Sequence, residues 1–173
     1  MQVRTIDTTK QSGIYIVGYS KNSDLRMLFE ESLKSELLDQ GFPVYTSYQD
    51  ILGVTNTSAD LIRDKANARN ALVVLMVTPE NRLGELTLPL AQPKPHNDLP
   101  AFVDFQQNKT PAFDPNKQTV AEVYAFLLNN EATPYYWSGV TYPYNSHSQK
   151  QAIMEVSKTL ADALVDARNK VRR

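Results

Sequence analysis

The sequence predicts one α/β domain of the mixed, α+β kind. Its order is β-α-β-α-β, then a proline-rich excursion, a β-hairpin and a C-terminal helix. Three observations carry this. Short β-rich apolar runs alternate with stretches of helical period through the first half of the chain. One run, Ala71-Leu72-Val73-Val74-Leu75-Met76-Val77, is continuously apolar, as a strand buried on both faces must be. Two later β-rich runs flank a short polar turn and lead into the most regular amphipathic pattern in the chain.

The elements follow in order. Residues 1–12 are polar and read as a loose lead-in. Ile14-Tyr15-Ile16-Val17-Gly18-Tyr19 is a first strand. Asn22-Ser23-Asp24 supplies a helix start, Leu25, Leu28, Phe29, Leu33 and Leu37 recur at helical spacing, and Gly41 stops the helix. Phe42-Pro43-Val44-Tyr45-Thr46-Ser47-Tyr48 reads as a second strand, with Pro43 tolerable near its start. Thr57-Ser58-Ala59-Asp60 has capping-box spacing and opens a helix through Leu61, Ile62 and Ala66 that ends near Asn70. The apolar run at 71–77 is then the central strand of a sheet whose first three strands are parallel.

The pattern changes at Pro79. Seven of the ten prolines fall within 79–115, so residues 79–119 form a proline-rich excursion, irregular over 92–117. Residues 83–90 extend the third strand or form a ribbon. Order returns with the strand Val120-Ala121-Glu122-Val123-Tyr124-Ala125-Phe126-Leu127-Leu128. A turn at 129–133 and the returning strand Pro134-Tyr135-Tyr136-Trp137-Ser138-Gly139-Val140-Thr141-Tyr142 complete an antiparallel hairpin. Ser148-Gln149-Lys150-Gln151 is a capping box for the last helix, with Ile153, Val156, Leu160, Ala163, Leu164 and Ala167 on one face. No internal repeat or domain boundary is visible, and 1–173 reads as a single domain.

Composition bounds the chemistry. The chain has 173 residues, enough to bury a core, and a net charge of −1, which gathers no nucleic acid. Its one basic cluster, Arg168, Lys170, Arg172 and Arg173, sits where a helix C-terminus favours cations. There is no cysteine, hence no disulfide, thiolate nucleophile or sulfur-ligated zinc within these residues. That composition suits an oxidising compartment without fixing one. The two histidines, His96 and His147, lie in polar loop-like stretches without a second ligand at metal spacing. No metal and no cofactor are expected.

Some residues merit weighing. Gly18-Tyr19-Ser20 ends the first strand before a helix, where doubly wound sheets bind ligands, but no GxGxxG or P-loop accompanies it. A plain turn is the simpler reading. Glu30 and Glu31 are adjacent on the first helix and point about 100° apart, so they are not a facing pair. Arg26 and Glu30, four apart, read as a helix-surface ion pair. Glu80 and Glu85 flank the exit of the third strand as solvated acids. The aromatic set Tyr135, Tyr136, Trp137, Tyr142 and Tyr144 is the most unusual feature. Alternation puts Tyr135 and Trp137 on one strand face and Tyr136 and Tyr142 on the other. One face would pack under the last helix and the other could meet a protein partner, half-buried sheet residues being the plainer alternative.

Several of these segments resemble a family. Val17-Gly18-Tyr19-Ser20-Lys21-Asn22, Leu25-Arg26, Phe29-Glu30, Leu33, Glu36-Leu37, Gly41 and Ser47-Tyr48 are similar to a pattern in small bacterial envelope lipoproteins of unknown function. Trp137-Ser138-Gly139, Lys150-Gln151-Ala152-Ile153 and Leu160-Ala161-Asp162-Ala163-Leu164 extend the likeness, which covers both ends and not the excursion. The resemblance implies a fold like the TolB amino-terminal domain and the curli-secretion lipoprotein. It also implies a periplasmic location, a removed leader with a lipid-modified cysteine, and a protein partner or envelope assembly. It brings no catalytic residue. If Met1 is native, the location is cytoplasmic instead.

A second resemblance is to the TIR domain, through the first strand and helix, Gly41-Phe42-Pro43-Val44-Tyr45 and Val73-Val74-Leu75-Met76-Val77-Thr78-Pro79. It implies cleavage of NAD or a nucleotide, with Glu85 of Gly84-Glu85-Leu86 as the catalytic acid. The usual Trp-Cys of that motif is absent here, and the hairpin replaces the alternating βα units of that fold.

Overall fold

The computed structural model describes residues 13–82, 97–108, 118–128, 132–141 and 149–171. Strand β1 (Gly13–Gly18) is buried along its whole length. It lies between β2 (Val44–Thr46) and β3 (Ala71–Arg82), parallel to both, with Ile14 opposite Val44 and Val73. Strands β4 (Gln118–Leu127) and β5 (Tyr135–Thr141) complete a five-stranded sheet of order β2-β1-β3-β4-β5. The β3–β4 and β4–β5 pairs are antiparallel, so the sheet is mixed and β3 is its centre, as the continuous apolar run requires.

Helices cover both faces. Helix α1 (Ser23–Asp39) follows β1, and α4 (Gln149–Val171) packs against it. Leu25, Phe29, Leu33 and Leu37 of α1 meet Ile153, Leu160 and Ala161 of α4 over Ile14, Ile16, Leu75 and Val123 of the sheet. Helix α2 (Ala59–Ala68) and helix α3 (Leu99–Asn108) cover the opposite face, where Ile62, Ala66, Phe102 and Val103 pack on Tyr15, Val74, Met76 and Phe126. Alternation along each strand supplies both cores: Ile14 and Ile16 point to one, Tyr15 and Val17 to the other.

The helix ends follow their residues. The Asn22 side chain accepts the Leu25 N–H at 3.1 Å. At the other end of α1, Gly41 adopts φ +85°, and the Gly41 and Phe42 N–H groups donate to the Leu38 and Leu37 carbonyls. This is a Schellman closure, which needs a residue free of Cβ strain. For α2 the cap is Ser58, which accepts the Leu61 N–H, and not Thr57, whose hydroxyl donates to the Gly53 carbonyl instead. Asn70, at φ +56°, ends that segment.

Three sequence expectations change. The excursion is not irregular throughout: α3 lies inside it, begun by Asp98, whose carboxylate accepts the Ala101 N–H at 2.9 Å. Pro100 falls in its first turn, where a proline removes no helical hydrogen bond. Second, β2 is only three residues long, because Ser47–Gln49 turn into a single 3₁₀ turn. Third, β3 runs on through Pro79, opposite Ala121. That is tolerable because β1 pairs with β3 only as far as Val77, so among the described residues the proline's missing N–H faces no neighbouring strand. Residues 83–90, Glu85, His96 and His147 lie outside the described residues.

Candidate functional site

Parallel sheets of this order gather ligands at the carboxyl ends of the strands beside β1. Here that end is built on Gly18. A Cβ on Gly18 would meet Arg26 Cγ at 3.1 Å, the Arg26 carbonyl oxygen at 3.3 Å and Glu30 Cγ at 3.3 Å. Glycine therefore lets α1 lie directly against the strand end. The close approach brings the Gly18 N–H to Glu30 Oε1 at 2.9 Å.

Glu30 is fully buried and organises what surrounds it. Its Oε1 also accepts from Arg26 Nε at 3.0 Å and from the Ser47 hydroxyl at 2.7 Å, while Oε2 accepts the Tyr48 N–H at 2.9 Å. Arg26, 4% exposed, donates from Nη1 to the Ile51 and Leu52 carbonyls, both at 2.8 Å, and from Nη2 to Ser47 Oγ at 2.7 Å. The expected helix-surface ion pair is thus a buried one. The segment after β2 turns back over α1 and encloses it, which helical spacing alone does not disclose. A buried pair of this kind persists only when its remaining polar valences are filled, as they are here.

A second polar clamp joins the same segment to the α2 side. The Tyr15 hydroxyl donates to Asp50 Oδ2 at 3.1 Å, and Arg69 Nη2 donates to Asp50 Oδ1 at 2.8 Å. Arg69 also lies over the Tyr45 ring, 5.9 Å from its centroid. Burial and the neighbouring Asp50 carboxylate push the Tyr15 hydroxyl well above its ordinary range. The hydrogen bond from Arg69 holds the Asp50 carboxyl below the usual carboxylate value.

Outside the Arg26–Glu30 network lies a cleft of about 370 Å³, lined by Ser20, Lys21, Ser23, Arg26, Leu52 and neighbouring residues up to Asn56. Ser20, Lys21, Ser23, Thr55 and Asn56 supply its polar lining beside Arg26. The guanidinium at its floor is engaged on Nε and both terminal nitrogens. Leu52, held by its carbonyl, projects its side chain 95% exposed at the rim. Among the described residues no group of His, Cys, Asp and Glu could hold a metal ion.

Glu30 and Glu31 diverge as expected. Glu31 accepts the Tyr48 hydroxyl at 2.6 Å, so Tyr48 bridges the two acids from its backbone and its ring. Sequence reading missed a further cluster on the α3 face. Phe102 packs edge-on to Tyr19 and against Tyr124 and Phe126, and the Tyr124 hydroxyl donates to buried Glu122 at 2.8 Å. Its signal in the sequence is Leu99, Phe102 and Val103 at helical spacing, with Pro100 among them.

The aromatic hairpin divides between the two cores. Tyr135 is half-buried on the α2–α3 side, with its hydroxyl 2.9 Å from Ser138 Oγ, and Tyr136 is half-buried against the α1–α4 side. Phe126 pairs with Tyr135 and Ala125 with Trp137, so a bulge at Tyr136 breaks the strict alternation expected from Tyr135 to Trp137. The start of β5 is tied to α3. Tyr135 N–H donates to the Asn97 carbonyl at 2.9 Å, and Asp98 forms an antiparallel bridge with Pro134. Tyr142 and Tyr144 lie outside the described residues.

No protein-family model and no curated protein matches this chain. Solved structures do resemble it. A PelC dodecamer from Paraburkholderia phytofirmans is similar at a TM-score of 0.48 and 11% identity, over 89% of this chain and 88% of that one. Lipoprotein GNA1162 from Neisseria meningitidis is similar at 0.41 and 13% identity, over 92% and 99%. The hypothetical protein CT253 from Chlamydia trachomatis is similar at 0.43 and 13% identity, over 92% and 96%. GNA1162 is a lipoprotein by its own description, the class that the sequence resembles. At these scores and identities nothing about chemistry or partners follows from the likeness.

Proposed function

We propose that this chain is a non-catalytic cell-envelope domain of the lipoprotein kind, which acts by binding a protein partner through its β4–β5 hairpin. The observation that carries this reading is the state of the carboxyl end of β1. A catalytic crevice there would present polar groups to a substrate. In this chain Arg26, Glu30, Ser47 and the backbone of Gly18 and Tyr48 bond to one another instead. That network is closed on itself, and the cleft outside it is lined by Ser20, Lys21, Ser23 and the 52–56 segment.

The binding surface is the hairpin, with Tyr135, Tyr136 and Trp137 on β5 and Tyr142 and Tyr144 following it. Rigid aromatics with a polar tip supply contact area at little entropic cost. Half-burial of Tyr135 and Tyr136 leaves part of each ring accessible while the sheet holds it. The sequence resemblance to envelope lipoproteins supports the location and the lipid anchor. No helix of the described residues is long and apolar enough to cross a membrane. The attachment this reading expects is an acylated leader. The test is metabolic labelling of the natural gene product with a palmitate analogue, followed by fractionation. Label on the chain and recovery with envelope membranes are expected. An unlabelled chain in the cytosolic fraction overturns the proposal.

A further inference from the structure

No further inference is drawn: the strongest candidate, the cleft at the carboxyl end of β1 between Ser20, Lys21 and the 52–56 segment, rests on the N-terminus of α1 and an exposed lysine, and its one buried charged side chain, Arg26, is already engaged by Glu30, Ser47 and the Ile51 and Leu52 carbonyls.

Discussion

Glu30 collects hydrogen bonds from α1, from the end of β1 and from the turn after β2, and no water-facing atom remains on it. Its value lies in being paired. Glu30→Ala leaves Arg26 charged and uncompensated in the interior, and urea unfolding should show a loss of about 3–5 kcal/mol. Two hydroxyls are in the opposite situation. Thr46 Oγ1 and Ser157 Oγ are buried with no hydrogen-bond partner among the described residues. An unmet buried hydroxyl costs about 1–3 kcal/mol, and an apolar group of the same shape removes that cost. Thr46→Val should therefore raise stability by about 1 kcal/mol and Tm by roughly 2–4 °C in calorimetry. A lower Tm would show that a partner for this hydroxyl exists in solution.

At the scale of elements, closures that depend on one backbone conformation are the vulnerable points. Gly41 holds φ +85° to end α1, with nothing near the place of a Cβ. Gly41→Ala thus adds no clash, only left-handed strain, and chemical denaturation should show a loss of about 1–2 kcal/mol. That glycine, the Asn22 cap, the buried run of β3, the hairpin and α4 were legible because each is a local pattern of propensity or period. Helix α3 was obscured because Pro100 interrupts its short apolar stripe. The Ser58 cap was misassigned to Thr57 because two hydroxyls compete one residue apart, and the preceding 3₁₀ turn takes the Thr57 hydroxyl onto the Gly53 carbonyl four residues back. The buried state of Arg26 and Glu30 was illegible for another reason. Residue spacing reports which side chains share a helix face, but not that residues 47–52 will close over that face.

At the scale of the whole molecule, two polar clamps fasten the segment after β2, one to each side of the sheet. The Tyr15–Asp50–Arg69 clamp makes stability depend on pH. The Asp50 carboxyl is held below its ordinary 3.8, so its contribution is present above that value and is lost as pH falls through the lower, folded-state value. Acid titration of the urea midpoint should show a shallower fall in Asp50→Asn than in the wild type. On the proposed reading, a molecule so fastened at the carboxyl end of β1 would offer a partner the hairpin and not the cleft. Photo-cross-linking in living cells compares the two directly, with a benzophenone amino acid placed at Tyr136 or at Lys21. A discrete adduct, to a second copy or to another envelope protein, is the expected result from Tyr136, with none from Lys21. Adducts from Lys21 alone would contradict the account and return function to the cleft.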